Sequence, residues 1–250
     1  YAEKRNLIFF SSPCDIDAVD GLAKINVPLY KVASFDITDD SLIKYISKQG
    51  KPVIISTGMA SLNEIQIAID STKSVDNNEI VLLQCTSLYP APAYLSNLNS
   101  ISTMRKAFNT LVGYSDHTKG DHVAIAAVTL GACVIEKHFT LDRKLPGPDH
   151  PFAIEPKELN QMMIKIREVE SSFGDGLKNG PRSEEREMAE KGKRSVHAKV
   201  NISEGEKISD DMLCIKRPGL GIHPSLRNQI IGRTARKSID KDDWITWEKI

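Results

Sequence analysis

Six short apolar segments recur along the chain, and their regular spacing constrains the fold more than any other feature. Each is rich in Val, Ile, Leu or Phe and is continuous rather than alternating, which is typical of strands buried on both faces of a parallel sheet. The strands are expected at residues 6–13, 29–35, 52–58, 80–87, 110–118 and 133–140, and the intervening helices at 15–25, 38–50, 61–74 and 120–132. One helix begins with Ser61 and Glu64 at the spacing of a capping box. This alternation predicts an α/β architecture.

The ends of these strands favour a barrel over an open sheet. Nearly all the segments close in small polar or titratable residues, such as "STG" at 56–58 and "SDH" at 115–117. In a (β/α)8 TIM-type barrel the active site is built from the carboxyl ends of the strands. Six β/α units are counted where a closed barrel has eight, so about two N-terminal units are expected to be missing from this chain.

The last third of the chain changes in character. Residues 157–173 have the pattern of an amphipathic helix, which would end a barrel domain at residues 1–173. Residues 174–193 are polar, contain glycine and are expected to be a linker. Residues 194–250 hold short alternating segments separated by turn signals, which predicts a small β-rich domain.

Composition excludes several classes of function. Lys plus Arg number 33 and Asp plus Glu number 33, so the chain has no basic excess of the kind that a general nucleic-acid binder shows. No apolar run approaches the ~20 residues that span a bilayer, and no membrane partner is expected. The four cysteines lack the spacing of a metal knuckle or a disulfide framework, which predicts reduced thiols in the cytoplasm.

Two histidines stand at the ends of successive strands, and they are the first candidates for chemistry. His117 closes the "GYSDHT" segment and His138 closes the "VIEKHFT" segment. Two neutral imidazoles at adjacent strand ends could bind one divalent cation, with Asp116 as a third ligand or as a partner that orients a ligand. The alternative is that each histidine caps a strand or packs in the core; their equivalent positions favour the metal.

Hydroxyl groups surround the same expected rim and suit a phosphate or a carboxylate. The candidates are Ser12, Ser34, Ser56, Thr57, Thr86, Ser87 and Ser115, together with Lys31 and Lys137. Each hydroxyl alone could equally cap a helix or end a strand. Lys137 alternates with His138 and could face the opposite side of the sheet.

Two further segments place a charged residue at a turn. The "LPGPDH" segment at 145–150 predicts a rigid loop that presents Asp149, which could bind a sugar hydroxyl, move a proton or simply be solvated. Arg217 precedes the turn of "RPGLG", where an arginine is usually solvated. Composition and spacing thus indicate a barrel enzyme with a divalent metal and an anionic substrate, without giving the reaction.

At these residues the sequence resembles the sialic acid synthase family, in its N-acetylneuraminate and legionaminate branch. The matching motifs are "FFSSP", "YKVAS", "KPVIISTGM", "LLQCTSLYP", "GYSDHT", "GACVIEKHFTLDR" and "PGPDH" followed by "EP", in that order. Residues 194–250, with "IKRPGLG", resemble the antifreeze-like SAF domain that ends these enzymes.

The resemblance implies a metal-dependent reaction, with Mn²⁺ or Mg²⁺ as cofactor. Phosphoenolpyruvate is condensed with an N-acylated mannosamine-type sugar, and the products are a nine-carbon 2-keto acid and phosphate. His117 and His138 then match the metal ligands and Asp149 matches an acid that contacts the sugar. The substrate-binding residues implied are Ser12, Lys31, Ser34, Ser56, Ser87, Tyr89, Ser115, Asp149 and Arg217.

The resemblance also implies a domain-swapped homodimer, in which the SAF domain of one subunit inserts Arg217 into the partner's barrel. Ser87 departs from the family pattern, since many members have asparagine there in contact with phosphoenolpyruvate. The alternative is a truncated, inactive remnant or a carbohydrate- or ice-binding protein, and the missing N-terminal units are what favours it.

Overall fold

The computed structural model describes residues 1–250, which form two compact units, residues 1–175 and residues 176–250. The first unit is built on five parallel strands in the order β1-β2-β3-β4-β5. These are β1 (Tyr30–Val32), β2 (Val53–Ser56), β3 (Ile80–Cys85), β4 (Leu111–Asp116) and β5 (Ile135–Lys137). Each strand pairs with the next one along the chain, without the reversal of order that marks a doubly wound sheet. The prediction of a curled, barrel-type β/α sheet is therefore confirmed, with five strands in this chain.

Six helices alternate with these strands. They are α1 (Ile16–Lys24), α2 (Asp40–Ser47), α3 (Leu62–Lys73), α4 (Ser100–Phe108), α5 (His122–Thr129) and α6 (Pro156–Ser172). The capping box that begins α3 is present: the Ser61 hydroxyl accepts from the Glu64 amide at 3.3 Å, and the Glu64 carboxylate accepts from the Ser61 amide at 2.7 Å. Helix α4 was not predicted from the sequence, and the other five lie within a few residues of their expected positions.

The core of this unit lies between the sheet and its helices. Val53, Ile55 and Leu82 of the strands and Ile43 and Ile46 of α2 are completely buried. Burying an aliphatic side chain of this size contributes about 1.5–3 kcal/mol, so this layer holds the strands rigidly enough to present their carboxyl ends as a fixed edge.

The expected first strand at residues 6–13 is absent. A single backbone hydrogen bond, from the Lys31 amide to the Ser11 carbonyl at 3.2 Å, joins this segment to β1. Leu7, Ile8 and Phe9 are 62%, 73% and 54% exposed, so the apolar residues that suggested a buried strand are not covered by another layer. The prediction of a sixth strand in this chain is wrong, because an apolar run becomes a strand only where a neighbour pairs with it.

The second unit contains an antiparallel pair, β6 (Ser195–Ala198) and β7 (Leu213–Lys216). Its own core includes Val196, Ile202 and Ile239, each at most 1% exposed. The segment expected to be a linker, residues 174–193, holds the short helix α7 (Arg186–Gly192). In neither unit is a helix long and apolar enough to cross a lipid bilayer.

Candidate active site

The register of the sheet brings the predicted residues together at the carboxyl ends of the strands. Ser115 of β4 is aligned with Glu136 of β5. Side chains two residues further along a strand return to the same face, so His117 and His138 follow on the side occupied by Ser115 and Glu136. The rings of the two histidines lie 5.2 Å apart, centre to centre.

A buried lysine and two buried serines, Lys31, Ser56 and Ser115, form a polar cluster near the histidines, named here the anion cluster for the ligand that it suits. The Lys31 ammonium donates to the Ser56 hydroxyl at 2.7 Å and to the Val32 carbonyl at 3.1 Å. The Ser115 hydroxyl donates to the Glu136 carboxylate at 2.6 Å, and the other oxygen of Glu136 lies 3.6 Å from the Lys31 ammonium. Lys31, Ser56 and Ser115 are 6%, 3% and 2% exposed, so their polar atoms are held within a largely dry site.

Burial controls the charge of Lys31. Desolvation lowers the pKa of its ammonium, and the nearby Glu136 carboxylate acts in the opposite direction. A buried cation with an incomplete set of partners attracts an anion strongly, because little water screens the interaction. The cluster is therefore suited to a phosphate or a carboxylate group.

Ser34 and Ser87 complete this wall around a glycine. The Gly58 amide donates to the Ser34 hydroxyl at 3.1 Å. A Cβ atom on Gly58 would lie 2.3 Å from the Ser87 hydroxyl and 2.8 Å from the Ser34 hydroxyl, so only glycine fits between them. The Ser87 hydroxyl is buried, lies near the Tyr89 side chain and makes no hydrogen bond of standard geometry. An unpaired buried hydroxyl at this place is available to a ligand.

The two histidines have their Nδ1 atoms occupied, which leaves Nε2 for a ligand. His117 Nδ1 lies 2.8 Å from the Thr86 carbonyl oxygen, and His138 Nδ1 lies 3.4 Å from the Asp149 carboxylate. Carbonyl or carboxylate partners of this kind fix the tautomer and the orientation of metal-binding imidazoles. No group of three or more His, Cys, Asp or Glu side chains is arranged to hold a metal ion. In their chemistry, two imidazoles with unoccupied Nε2 atoms suit a divalent ion.

The pKa values of the two rings are shifted in opposite directions. The pKa of His138 is lowered by burial and then by the proximity of His117, which favours its neutral form. For His117, burial acts to lower the pKa, but hydrogen bonds with the Cys85 thiol and the Thr86 carbonyl outweigh it and the pKa is raised. The Cys85 sulfur lies 3.8 Å from His117 Nδ1.

An aromatic wall, formed by Tyr89 and Phe152, packs against the histidines. The Tyr89 ring lies 4.3 Å from His117 and 5.7 Å from His138, and the Phe152 ring lies 5.0 Å from His138. Tyr89 is 44% exposed, whereas Phe152 is buried. The wall gives the site an apolar surface in addition to its polar cluster, as in many small-molecule sites.

The loop that presents Asp149 is held in place by hydrogen bonds of its flanking residues. The Thr140 hydroxyl lies 2.7 Å from His150 Nδ1, and the backbone amide of Ile154 donates to the His138 carbonyl at 2.8 Å. The Asp149 side chain is 60% exposed. The predicted rigid loop thus places a largely solvated carboxylate directly beside a candidate metal ligand.

Asp116 does not lie with the histidines, and its expected role as a ligand or orienting partner is wrong. Its carboxylate is fully buried, pairs with the Lys137 ammonium at 2.6 Å and accepts from the Thr118 amide at 2.8 Å. Alternation along β4 and β5 turns both side chains to the face opposite Ser115 and Glu136. The expectation that Lys137 faces away from the site is confirmed.

Three other predicted hydroxyls lie outside the cluster. Thr57 donates to the Leu83 carbonyl at 2.9 Å and Thr86 to the Leu95 carbonyl at 2.8 Å, so both hydroxyls are used by the backbone. Ser12 lies in the segment before α1, and its hydroxyl makes no hydrogen bond with the other rim residues. Arg217 belongs to the second unit, where it is exposed after β7.

Three residues of the site were not predicted: Glu136, Phe152 and Cys85. For Glu136 a signal existed, because two-residue alternation along "IEKH" puts it on the same face as His138. Cys85 ends a buried strand and resembled a core residue. Phe152 follows the loop, and nothing in the sequence placed its ring beside His138.

A singly wound parallel sheet with an anion cluster and paired imidazoles at its carboxyl edge defines a barrel-type protein with a candidate site at its strand ends. The chain belongs to the NeuB family, which it matches over residues 1–178, and it matches the SAF domain over residues 193–250.

Individual relatives agree with this assignment. An uncharacterized protein of Methanocaldococcus jannaschii is 44% identical over 250 residues, covering 100% of this chain and 74% of that protein. The N,N'-diacetyllegionaminic acid synthase of Campylobacter jejuni is 40% identical over 247 residues, covering 98% of this chain and 74% of the enzyme. The crystal structure of the spore coat polysaccharide biosynthesis protein SpsE from Bacillus subtilis superposes with a TM-score of 0.68 at 33% identity, covering 100% of this chain and 75% of that one.

Proposed function

We propose that the protein is a sialic acid synthase that joins phosphoenolpyruvate to an N-acylated mannosamine-type sugar. In this reaction C3 of the enol attacks the open-chain aldehyde of the sugar and forms the new C–C bond. Water adds at C2, and phosphate leaves with cleavage of its C–O bond. The product is a nine-carbon 2-keto acid such as N-acetylneuraminate or legionaminate.

The observation that carries this proposal is the anion cluster beside the paired histidines. Phosphoenolpyruvate has a phosphate and a carboxylate. Lys31 and Ser56 offer an ammonium and a hydroxyl in direct contact, and Glu136 links the Ser115 hydroxyl to them. Ser34 and the unpartnered Ser87 hydroxyl extend the same wall. Holding the enol rigidly there would turn its C3 toward the histidines and reduce the entropic cost of the encounter.

His117 and His138 would hold Mn²⁺ or Mg²⁺ through their Nε2 atoms. When bound, this ion would supply Lewis-acid polarisation of the sugar aldehyde. The protein's part is to keep both rings oriented, through the Thr86 carbonyl and the Asp149 carboxylate. Tyr89 and Phe152 pack against the rings in tilted contacts, with ring centres 4.3 Å and 5.0 Å away, and restrict their movement.

The exposed carboxylate of Asp149 is also the group best placed to receive a sugar hydroxyl. It lies at the open side of the site, beside His138, and it is 60% exposed. The Tyr89 ring nearby offers an apolar surface for the carbon skeleton of the sugar. The 40% identity to a legionaminic acid synthase supports a manno-configured acceptor.

The proposal includes a domain-swapped homodimer. Arg217 is exposed at the end of β7, in the SAF domain, and its guanidinium is free to meet an anion. In the dimer it would reach the anion cluster of the partner subunit and bind the substrate there.

The direct test is mass spectrometry of a reaction that contains the protein, Mn²⁺, phosphoenolpyruvate and a panel of N-acetylated hexosamines. We expect a nine-carbon keto acid whose mass identifies the acceptor. His117→Ala should abolish the product, whereas His122→Ala, an exposed histidine at the start of α5, should not. A folded, metal-loaded wild-type protein without product would instead favour a carbohydrate-binding protein or an inactive remnant.

A further inference from the structure

Glu136 has no role in the function proposed above, although it contacts two residues of the anion cluster. One oxygen of its carboxylate accepts from the Ser115 hydroxyl at 2.6 Å, and the other lies 3.6 Å from the Lys31 ammonium. It stands on β5, two residues before His138, on the same face of the strand.

A carboxylate here is a physical problem for a site that receives an anion. Its negative charge would repel a phosphate placed against Lys31 and Ser115, and burial would make that repulsion larger than in water. The positions that Glu136 occupies on Lys31 and Ser115 are also the positions that the substrate needs. The two anions therefore compete for the same donors.

The structure shows how this competition can be resolved. The Lys31 and Ser115 residues are 6% and 2% exposed and cannot move far, but the Glu136 side chain is 41% exposed. Its contact with Lys31 at 3.6 Å is longer than a charge-assisted hydrogen bond of ~2.8 Å. The Lys31–Glu136 contact is thus weak enough for an incoming anion to replace it.

We propose that Glu136 is the resident counter-anion of the anion cluster: it holds Lys31 and Ser115 in place while the site is empty, and it yields both to the incoming phosphoenolpyruvate. Glu136 is then a positioning residue that sets substrate affinity. This inference rests on the proposed function, because it takes the cluster to be the phosphoenolpyruvate site.

The consequence is that removing the charge of Glu136 should strengthen binding of an anion. Glu136→Gln retains the size of the side chain and an oxygen that accepts from Ser115, but it removes the competing charge. We expect the affinity for inorganic phosphate and for phosphoenolpyruvate to rise about tenfold. This factor lies between the repulsion that a neighbouring charge causes in water and the repulsion that it causes at a low dielectric constant. In turnover, the KM for phosphoenolpyruvate should fall more than kcat changes.

The test is calorimetric titration of the purified protein with phosphoenolpyruvate and with inorganic phosphate, in a buffer free of other multivalent anions. Glu79→Gln is the matched control, because this exposed residue precedes β3 at the opposite end of the sheet and the net charge changes equally. Glu136→Asp is the second variant, since it keeps the charge on a shorter side chain and should bind no more tightly than the wild type.

Each result has a defined meaning. Tighter binding in Glu136→Gln alone supports the counter-anion. Unchanged or weaker binding in that variant, or tighter binding in Glu136→Asp, would overturn it while leaving the synthase intact. If the wild-type protein bound neither phosphoenolpyruvate nor phosphate, the cluster would not be an anion site. Both the proposed function and this inference would then be wrong.

Discussion

The buried ion pair of Asp116 and Lys137 offers a sharp test of what holds the sheet together. Asp116 is fully buried, the Lys137 side chain is 5% exposed, and their charged atoms lie 2.6 Å apart. Lys137 also donates to the Thr118 carbonyl at 2.8 Å, and the Thr118 amide donates to Asp116 at 2.8 Å. Lys137→Met would leave the buried carboxylate without a counter-charge, although the Thr118 amide would still donate to it.

The magnitude follows from the distance and the burial. Two unit charges at this separation attract by about 6 kcal/mol at an effective dielectric constant of ~20, and desolvation offsets part of this. Breaking one side of such a pair costs about 3–5 kcal/mol. The double variant Asp116→Asn/Lys137→Met removes both charges and keeps the bond with the Thr118 amide, so we expect it to recover about 2 kcal/mol.

The assay is unfolding in urea, monitored by circular dichroism at the helical band. This signal reports mainly on residues 1–175, because most helices lie there. At a slope of about 2 kcal/mol per molar urea, the midpoint of Lys137→Met should fall by about 2 M. Both tryptophans, Trp244 and Trp247, lie in residues 176–250, so their fluorescence follows the other unit and should change little.

The matched control is Lys44→Met, which removes an exposed partner of Asp40 on α2. Exposed pairs of this kind contribute about 0.3–0.5 kcal/mol. A Lys137→Met midpoint within experimental error of the Lys44→Met midpoint would refute the reasoning, as would a double variant less stable than the single one.

Three further predictions concern the site. Lys31→Met should reduce turnover by more than about 100-fold. Its free energy of unfolding should fall little or rise, because burying an ammonium is costly and the variant removes it. A large loss of stability in urea would contradict this. Ser87→Asn should lower the KM for phosphoenolpyruvate, since the longer amide reaches where the unpartnered hydroxyl falls short, and an unchanged KM would argue against a contact there. Arg217→Ala should raise that KM at least tenfold without changing the molar mass of the protein in light scattering, and unchanged kinetics would contradict the proposed insertion of Arg217 into the site.

Local signals in the sequence predicted the helices and most of the strands. Helix α3 begins where its capping box indicated, because Ser61 and Glu64 satisfy each other's backbone without help from the rest of the fold. The prediction of a strand at residues 6–13 was wrong because a strand depends on the rest of the fold. Its apolar residues permit a strand, but pairing depends on a neighbour that composition does not reveal.

The candidate site was predictable where strand ends determine it. His117, His138, Lys31, Ser56 and Ser115 converge because parallel strands bring their carboxyl ends to one edge. Residues whose place depends on register, or on how a loop folds back, were assigned wrongly or missed.

Asp116 and Glu136 illustrate this dependence on alternation. One residue before His117, Asp116 points to the far face, whereas Glu136, two residues before His138, points into the site.

The ion pair between Asp116 and Lys137 on that far face also specifies the register of β5 against β4. If β5 slipped by one residue against β4, Glu136 and His138 would exchange faces with their neighbours. The slip would also carry the Lys137 ammonium away from Asp116 and leave a buried carboxylate without a counter-charge. Charges behind the sheet thus determine which side chains reach the chemistry in front of it. A substitution there could silence the enzyme by misaligning it, with every residue of the site unaltered.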